Sequence, residues 1–271
     1  MQQVVLPKKV TFKEGEEKNQ GIVTVEPCFP GYGTTLGNSI RRVLLSSLPG
    51  ASVIGVKIKD TSHEFTTIDH VKEDVLEIIL NLKKLRMKIF SDNEEEVIKL
   101  EIKAKGEGKI SAKDIIKNSQ VEIINEDLHI AEVTDKNAQL EMEIFVSKGY
   151  GYVSIENRQA SKEKEVGYIE IDSIFTPINA VRVNIENVRV GQMTDWEKLI
   201  IDIKTDGTID YKEAFNNAVN ILVEQFSFLQ NKSTEDEVAI SKTEDKNDVE
   251  DEQVESEQDQ VKVDDDKEDK K

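Results

Sequence analysis

Short runs in which apolar and charged residues alternate constrain this chain most. Ile54, Val56 and Ile58 alternate with Lys57 and Lys59, and Ile98, Leu100 and Ile102 with Lys99, Glu101 and Lys103. Leu140, Met142, Ile144 and Val146 alternate in the same way with Glu141 and Glu143. Successive strand side chains point to opposite faces, so each run offers one face to a core and one to water, the pattern of antiparallel sheet. Further strands are expected at residues 20–26, stopped by Pro27, at 166–172, around Val181, Val183 and Ile185, and at 199–203. The last ends in the turn Thr205-Asp206-Gly207-Thr208.

Three segments carry a helical period. Leu36, Ile40, Val43, Leu44 and Leu48 share one face, with Asn38, Ser39, Arg42 and Ser46 opposite, and Pro49-Gly50 ends the run. Val71, Val75, Ile78, Ile79 and Leu82 make a second stripe. The third helix opens at Asp210, with Glu213 placed as in a capping box, and runs Phe215, Ala218, Val219, Leu222, Phe226 and Leu229 down one side. A short helix is expected around 112–117. Strands and helices are interspersed without regular βαβ alternation, so the expected class is α+β.

Charge sets the limits of the folded part. The 271 residues carry 36 Lys+Arg against 54 Asp+Glu, a net charge of −18. The last 41 residues hold 7 Lys against 17 Asp and Glu, with seven apolar residues and no aromatic. So little apolar surface cannot offset the entropy of ordering a backbone, and 231–271 is expected to be a disordered acidic tail. No apolar run approaches the roughly 20 residues that span a bilayer, and residues 1–9 lack a signal-peptide core. The single cysteine, Cys28, excludes an intramolecular disulfide and points to the cytoplasm. The acidic balance makes the chain a poor autonomous DNA binder, because phosphate neutralisation needs clustered cations.

No catalytic constellation emerges. Gly106-Glu107-Gly108-Lys109 lacks the first glycine of a phosphate loop, and Ile110 stands where a hydroxyl should meet magnesium. Gly31-Tyr32-Gly33 and Gly149-Tyr150-Gly151 lack dinucleotide-loop spacing and read as turns. Within residues 202–213, Asp202, Asp206, Gly207, Ile209 and Glu213 match positions of a calcium loop, but Lys204 occupies a coordinating position. His63, His70 and His129 are not at metal-ligand spacings, and Glu94-Glu95-Glu96 and Asp264-Asp265-Asp266 read as solvated charge. Two interaction features remain. Arg42, beside Arg41, could meet a partner's carboxylate or carbonyls or simply be solvated, and the C-terminal apolar face could be core or a homodimer seam.

One set of motifs is more specific. Val25-Glu26-Pro27, Gly31-Tyr32-Gly33, Thr35-Leu36-Gly37-Asn38, Arg41-Arg42-Val43-Leu44-Leu45-Ser46-Ser47 and Pro49-Gly50 resemble the signature of the bacterial-type RNA polymerase α subunit, N-terminal domain. In family order follow His63-Glu64-Phe65, Val71-Lys72-Glu73-Asp74-Val75, Val166-Gly167-Tyr168, Asp172-Ser173-Ile174-Phe175-Thr176-Pro177, Val188-Arg189-Val190-Gly191-Gln192 and Thr205-Asp206-Gly207-Thr208-Ile209. The resemblance covers residues 1 to about 230.

It implies a dimerisation lobe from 1–50 and 172–230 and an insert lobe at 51–171. It implies a homodimeric scaffold for the β and β′ subunits, with omega and sigma joining in the holoenzyme and DNA met only through the complex. No membrane contact and no cofactor on this subunit are implied; magnesium belongs to the large subunits. Arg42 and Leu45 fall at the positions of β docking, and Lys83 and Ile171 at those of β′ docking. Leu36, Ile40, Leu44, Phe215, Val219, Leu222 and Phe226 fall on the dimer seam. The setting implied is a bacterial cytoplasm, a plastid being the other source the resemblance allows.

Pro30, Thr34 and Met193 depart from the residues usual in the family, and the acidic tail stands where most members continue into a DNA-binding C-terminal domain. The alternative reading is a homodimeric interaction module whose acidic tail binds basic partners. A calcium-binding protein, resting only on residues 202–213, is a third.

Overall fold

The alternating runs do become antiparallel strands. In the computed structural model, residues 4–91, 96–158 and 167–231 are described. The order begins β1 (Lys9–Glu14), β2 (Gln20–Cys28), α1 (Tyr32–Ser46), β3 (Pro49–Ile58), α2 (Val75–Leu82), β4 (Met87–Ile89), β5 (Ile98–Lys105) and β6 (Gly108–Ser111). It continues β7 (Val121–Ile123), β8 (His129–Val133), β9 (Gln139–Tyr150), β10 (Tyr152–Val153), β11 (Tyr168–Glu170) and β12 (Ser173–Ile174). It closes with β13 (Ile178–Val190), β14 (Met193–Thr205) and α3 (Tyr211–Asn231). The class is α+β. The described residues up to Leu222 form one compact unit, and those from Val223 onward continue α3. Among the described residues no helix is long and apolar enough to cross a membrane.

Two four-stranded antiparallel sheets organise the first unit, in the orders β1-β2-β14-β13 and β11-β3-β9-β5. Each has its own apolar cluster. One holds Val53, Val56 and Ile58 of β3, Ile78 and Leu82 of α2, Leu100 and Ile102 of β5, Met142 and Ile144 of β9, and Ile171. The other is built from both sides of that segment: Val23, Val25, Ile40, Leu44 and Leu48, together with Ile178, Leu199, Ile201, Ile203, Phe215 and Ala218.

Several local expectations are corrected. Pro27 does not stop β2, which runs on to Cys28; the register with β14 slips between Glu197 and Leu199 opposite this point, so no ladder bond is asked of a residue without an N–H. The second helix begins at Val75, not Val71, because Asp74 caps it by accepting Glu77 N–H at 2.7 Å while Val71 bridges to Val133. The short helix is a single 3-10 turn, Ala112–Asp114, after which Ile115 is extended and bridges to Ile102. Tyr32 and Gly33 open α1 instead of forming a turn, whereas Gly151 does turn the chain between β9 and β10. The described strand near 166–172 is only Tyr168–Glu170, Val166 lying outside the described residues. The acidic tail, beyond 231, and Glu94 and Glu95 lie outside them as well.

Candidate docking surfaces

Helix α1 begins in an unusual way. Gly31 at its N-cap is left-handed, with φ of 85°, and offers no side chain to the free N–H groups of the first turn, which contains no acid of its own. The carboxylate of Glu197 on β14 supplies both needs, accepting Gly31 N–H and Gly33 N–H at 2.8 Å each. Phe29 packs edge-on against Trp196 and Tyr32 beside it. With its first turn fixed and Ile40 and Leu44 buried, α1 presents Arg41, Arg42 and Leu45 outward, Leu45 being 37 % exposed. Ser46 Oγ–H donates to the Arg42 carbonyl at 2.8 Å, so this hydroxyl is occupied on the helix itself.

Of the residues placed on a dimer seam, Ile40, Leu44 and Phe215 are buried in the chain's own core and expose little side-chain surface. Phe215 meets Phe12 edge-on at 5.8 Å. Leu36, Val219 and Leu222 are partly buried against the same cluster. Phe226 is 62 % exposed, as are, to similar degrees, Val223 and Leu229.

A second surface forms at the C-terminus of α2. Lys83 is its C-cap, and its Nζ lies 3.4 Å from Asp172 Oδ2. Asp172 Oδ1 accepts Ile155 N–H at 3.0 Å. That hydrogen bond, and then Lys83, hold the Asp172 carboxyl below the usual carboxylate range although burial pushes it up. Ile171, by contrast, is 1 % exposed; its N–H donates to the Ile54 carbonyl at 3.0 Å. Its side chain is packed in the apolar cluster of the β11-β3-β9-β5 sheet and is not presented at the surface. Arg158 spans this junction, donating to the Ile54 carbonyl at 2.6 Å, to Ser173 Oγ at 2.8 Å and to the Ile171 carbonyl at 3.2 Å. Neither Arg158 nor Glu197 stood out in the sequence, since no spacing marks their partners, and those of Glu197 lie more than 160 residues away.

The other chemistries find no support in the geometry. Within residues 202–213, Asp202 sits in β14 where a calcium loop requires helix flanks, and its Oδ1 accepts Gln20 Nε2–H at 2.7 Å. Asp206 Oδ1 accepts Thr208 N–H and Oγ–H at 2.9 and 2.6 Å, and Oδ2 faces Arg86 Nε at 3.7 Å. Lys204 pairs with Glu17. The acids of this segment are thus engaged in the chain's own hydrogen bonds and ion pairs, on a strand and a turn and not between two helices. A cleft of about 640 Å³ over β3, β5 and β9 is lined by lysines and glutamates that largely neutralise one another, as in Lys59–Glu141 at 3.3 Å and Lys103–Glu101 at 2.6 Å. Cys28 is buried, with its Sγ–H on the Val25 carbonyl, and burial pushes its thiol up, away from the reactive thiolate. Met193, one of the departures, accepts Trp196 Nε1–H at 3.5 Å. Pro30 immediately precedes the Gly31 cap, and Thr34 lies exposed in the first turns of α1.

Comparison with known proteins gives the family. The family described as RNA polymerase Rpb3/RpoA insert domain matches residues 56–176. The DNA-directed RNA polymerase subunit alpha of Alkaliphilus oremlandii (strain OhILAs) is 47 % identical over 243 residues, covering 89 % of this chain and 75 % of the relative. That of Desulforamulus reducens is 46 % identical over 251 residues, covering 92 % and 78 %. That of Carboxydothermus hydrogenoformans is 48 % identical over 237 residues, covering 86 % and 74 %. With that identity along nearly its whole described length, the chain belongs to the family of DNA-directed RNA polymerase alpha subunits.

Proposed function

We propose that two copies of this chain pair and serve as the platform on which the β and β′ subunits of a DNA-directed RNA polymerase assemble, with omega and sigma completing the holoenzyme. The subunit contributes to nucleotidyl transfer by assembly, while the reacting groups and magnesium reside in the large subunits. It meets DNA only through the complex, needs no cofactor of its own and works in a bacterial cytoplasm. Residues 1–50 and 172–230 act as the dimerisation lobe and 51–171 as the insert lobe, a division supported by the two separate apolar clusters.

The observation that carries the reading is α1, a helix anchored on one side in the sheet and capped by Glu197, with Arg41, Arg42 and Leu45 exposed on the other. A planar guanidinium next to an exposed leucine suits an interface anchor, since arginine fixes paired hydrogen bonds and a leucine excludes water beside them. Lys83 with Asp172 supports the β′ side in the same way. Because the two copies are identical and the large subunits differ, each copy would use a different part of one shared surface. Arg42→Ala is expected to leave the homodimer intact and weaken β capture about tenfold, the loss typical of an interface anchor. Co-purification of the variant with β at wild-type strength would overturn the assignment.

A further inference from the structure

We infer that Arg158 is a positioning residue for the β′-docking surface, acting through Asp172 on Lys83. This rests on the docking role proposed for Lys83. The residues on either side of Asp172 are held by one guanidinium: Arg158 reaches the Ile171 carbonyl at 3.2 Å and Ser173 Oγ at 2.8 Å. Its other terminal nitrogen reaches the Ile54 carbonyl on β3 at 2.6 Å. Ser173 is fully buried and passes its own hydrogen to the Val53 carbonyl at 2.8 Å. The clasp is reciprocal. Arg158 grips residues 171 and 173, while Asp172 between them grips the Ile155 N–H, three residues before Arg158, at 3.0 Å. The backbone of 154–158 is itself closed by Arg158 N–H on the Ser154 and Ile155 carbonyls at 3.2 Å.

The consequence falls on Lys83. With both neighbours of Asp172 fixed and one of its oxygens taken by Ile155, only Oδ2 is left to turn outward, and it meets Lys83 Nζ at 3.4 Å. Lys83 is about one third exposed, so the pair sits at the surface with its direction set from beneath. The same clasp carries the β10–β12 pair, in which Tyr152 and Ile174 face each other across the strands and are both exposed. An apolar pair thus accompanies the charged one on the element that Arg158 holds. A lysine could not replace it, because one ammonium cannot span three acceptors on two segments as a planar fork does.

Polymerase reconstituted from full-length α, β and β′ tests this. Arg158→Gln is expected to leave the α dimer and β capture within about twofold of wild type and to weaken β′ capture about tenfold, as loss of charge-assisted hydrogen bonds would. In a Lys83→Ala background the same change should cost less than about twofold more, since both act on one contact. An equal loss of β and β′, loss of the dimer, or a full tenfold effect without Lys83 would each reduce Arg158 to a structural residue and overturn the inference. If Arg158→Gln does not fold, Ser173→Ala decides: selective weakening of β′ supports the clasp and wild-type β′ capture overturns it. Lys83→Ala with wild-type β′ capture would overturn the docking reading itself, whereas a weakened Lys83→Ala beside an unaffected Arg158→Gln would remove only the positioning role.

Discussion

Glu197 Oε2 accepts the backbone N–H of Gly33 at 2.8 Å across 164 residues of sequence. A Cβ at Gly33 would lie 2.6 Å from that same oxygen, so the glycine is what lets the carboxylate reach the helix. The first turn of α1, and with it the outward aim of Arg42, depends on a strand near the other end of the folded chain.

Removing either partner should therefore have the same effect. Glu197→Ala leaves two N–H groups of the first turn uncapped and is expected to cost about 1 kcal/mol, the scale of a lost helix cap. Gly33→Ala should cost a similar amount by pushing the carboxylate aside, and the double variant should cost little more than either alone. Urea unfolding of the three variants measures this, and full additivity would show that the two residues do not act through one contact.

A second pair of glycines separates close approach from mere presence. At Gly50 a Cβ would lie 1.8 Å from the Phe175 carbonyl oxygen, so the chain on both sides would have to move, and Gly50→Ala is expected to cost about 3 kcal/mol or more. At Gly108 nothing lies within 4 Å, and Gly108→Ala should stay within about 0.5 kcal/mol of wild type. Thermal unfolding of both variants is the check.

Acid sensitivity should trace in part to Glu73. Burial pushes its carboxyl up, but His129 Nε2–H at 2.7 Å and Glu132 N–H at 2.7 Å outweigh burial and leave it below its ordinary value. A carboxyl lowered by folding contributes stability that is present above its unfolded value, near 4.3, and is lost as pH falls through the folded value beneath that. Glu73→Gln should thus destabilise the protein at neutral pH and flatten its stability profile below about pH 4.3. Parallel acid-dependent slopes for variant and wild type would assign the titration elsewhere.

The two parts of α3 should respond in opposite ways to a charge. Phe215→Glu places a carboxylate in the core against Phe12 and is expected to cost more than about 3 kcal/mol. Phe226→Glu, at an exposed position, should change unfolding by less than about 0.5 kcal/mol while weakening self-association at least about tenfold. Sedimentation of the folded variant distinguishes a seam from a solvated helix end, since an undiminished dimer would place the contact elsewhere.

The sequence made the half-wet strands and the amphipathic helices plain but showed only the middle of β13 and the last part of β14, the two longest strands, for physical reasons. β5 and β9 could be read because one face of each is wet and the alternation survives in the letters. β1 could not: it is an edge strand whose residues are all at least partly exposed, so neither face is marked. The start of α1 was hidden because Gly31-Tyr32-Gly33 has turn chemistry and becomes helical with a cap supplied from β14. The apolar stripes of α1 and α3 were visible, but periodicity records a buried face and not the owner of the opposing surface. Ile40, Leu44 and Phe215 accordingly proved to face their own sheet. Ile171 shows the same limit, its position in the motif being legible and its burial not.

The cluster shared by α1, β2, β14 and α3 has a kinetic consequence during synthesis. β1 pairs with one edge of β2 as soon as both are made, but the other edge waits for β14, with Gly21 opposite Ile203 and Val23 opposite Ile201. On the ribosome, residues 49–171 emerge with every strand of their own four-stranded sheet before Leu199 has been translated. That inner sheet can pack while β2 and α1 still wait, apolar faces uncovered, for strands not yet made. Chaperone capture of nascent chains should therefore concentrate on β2 and α1 and end once β14 and the start of α3 have left the exit tunnel.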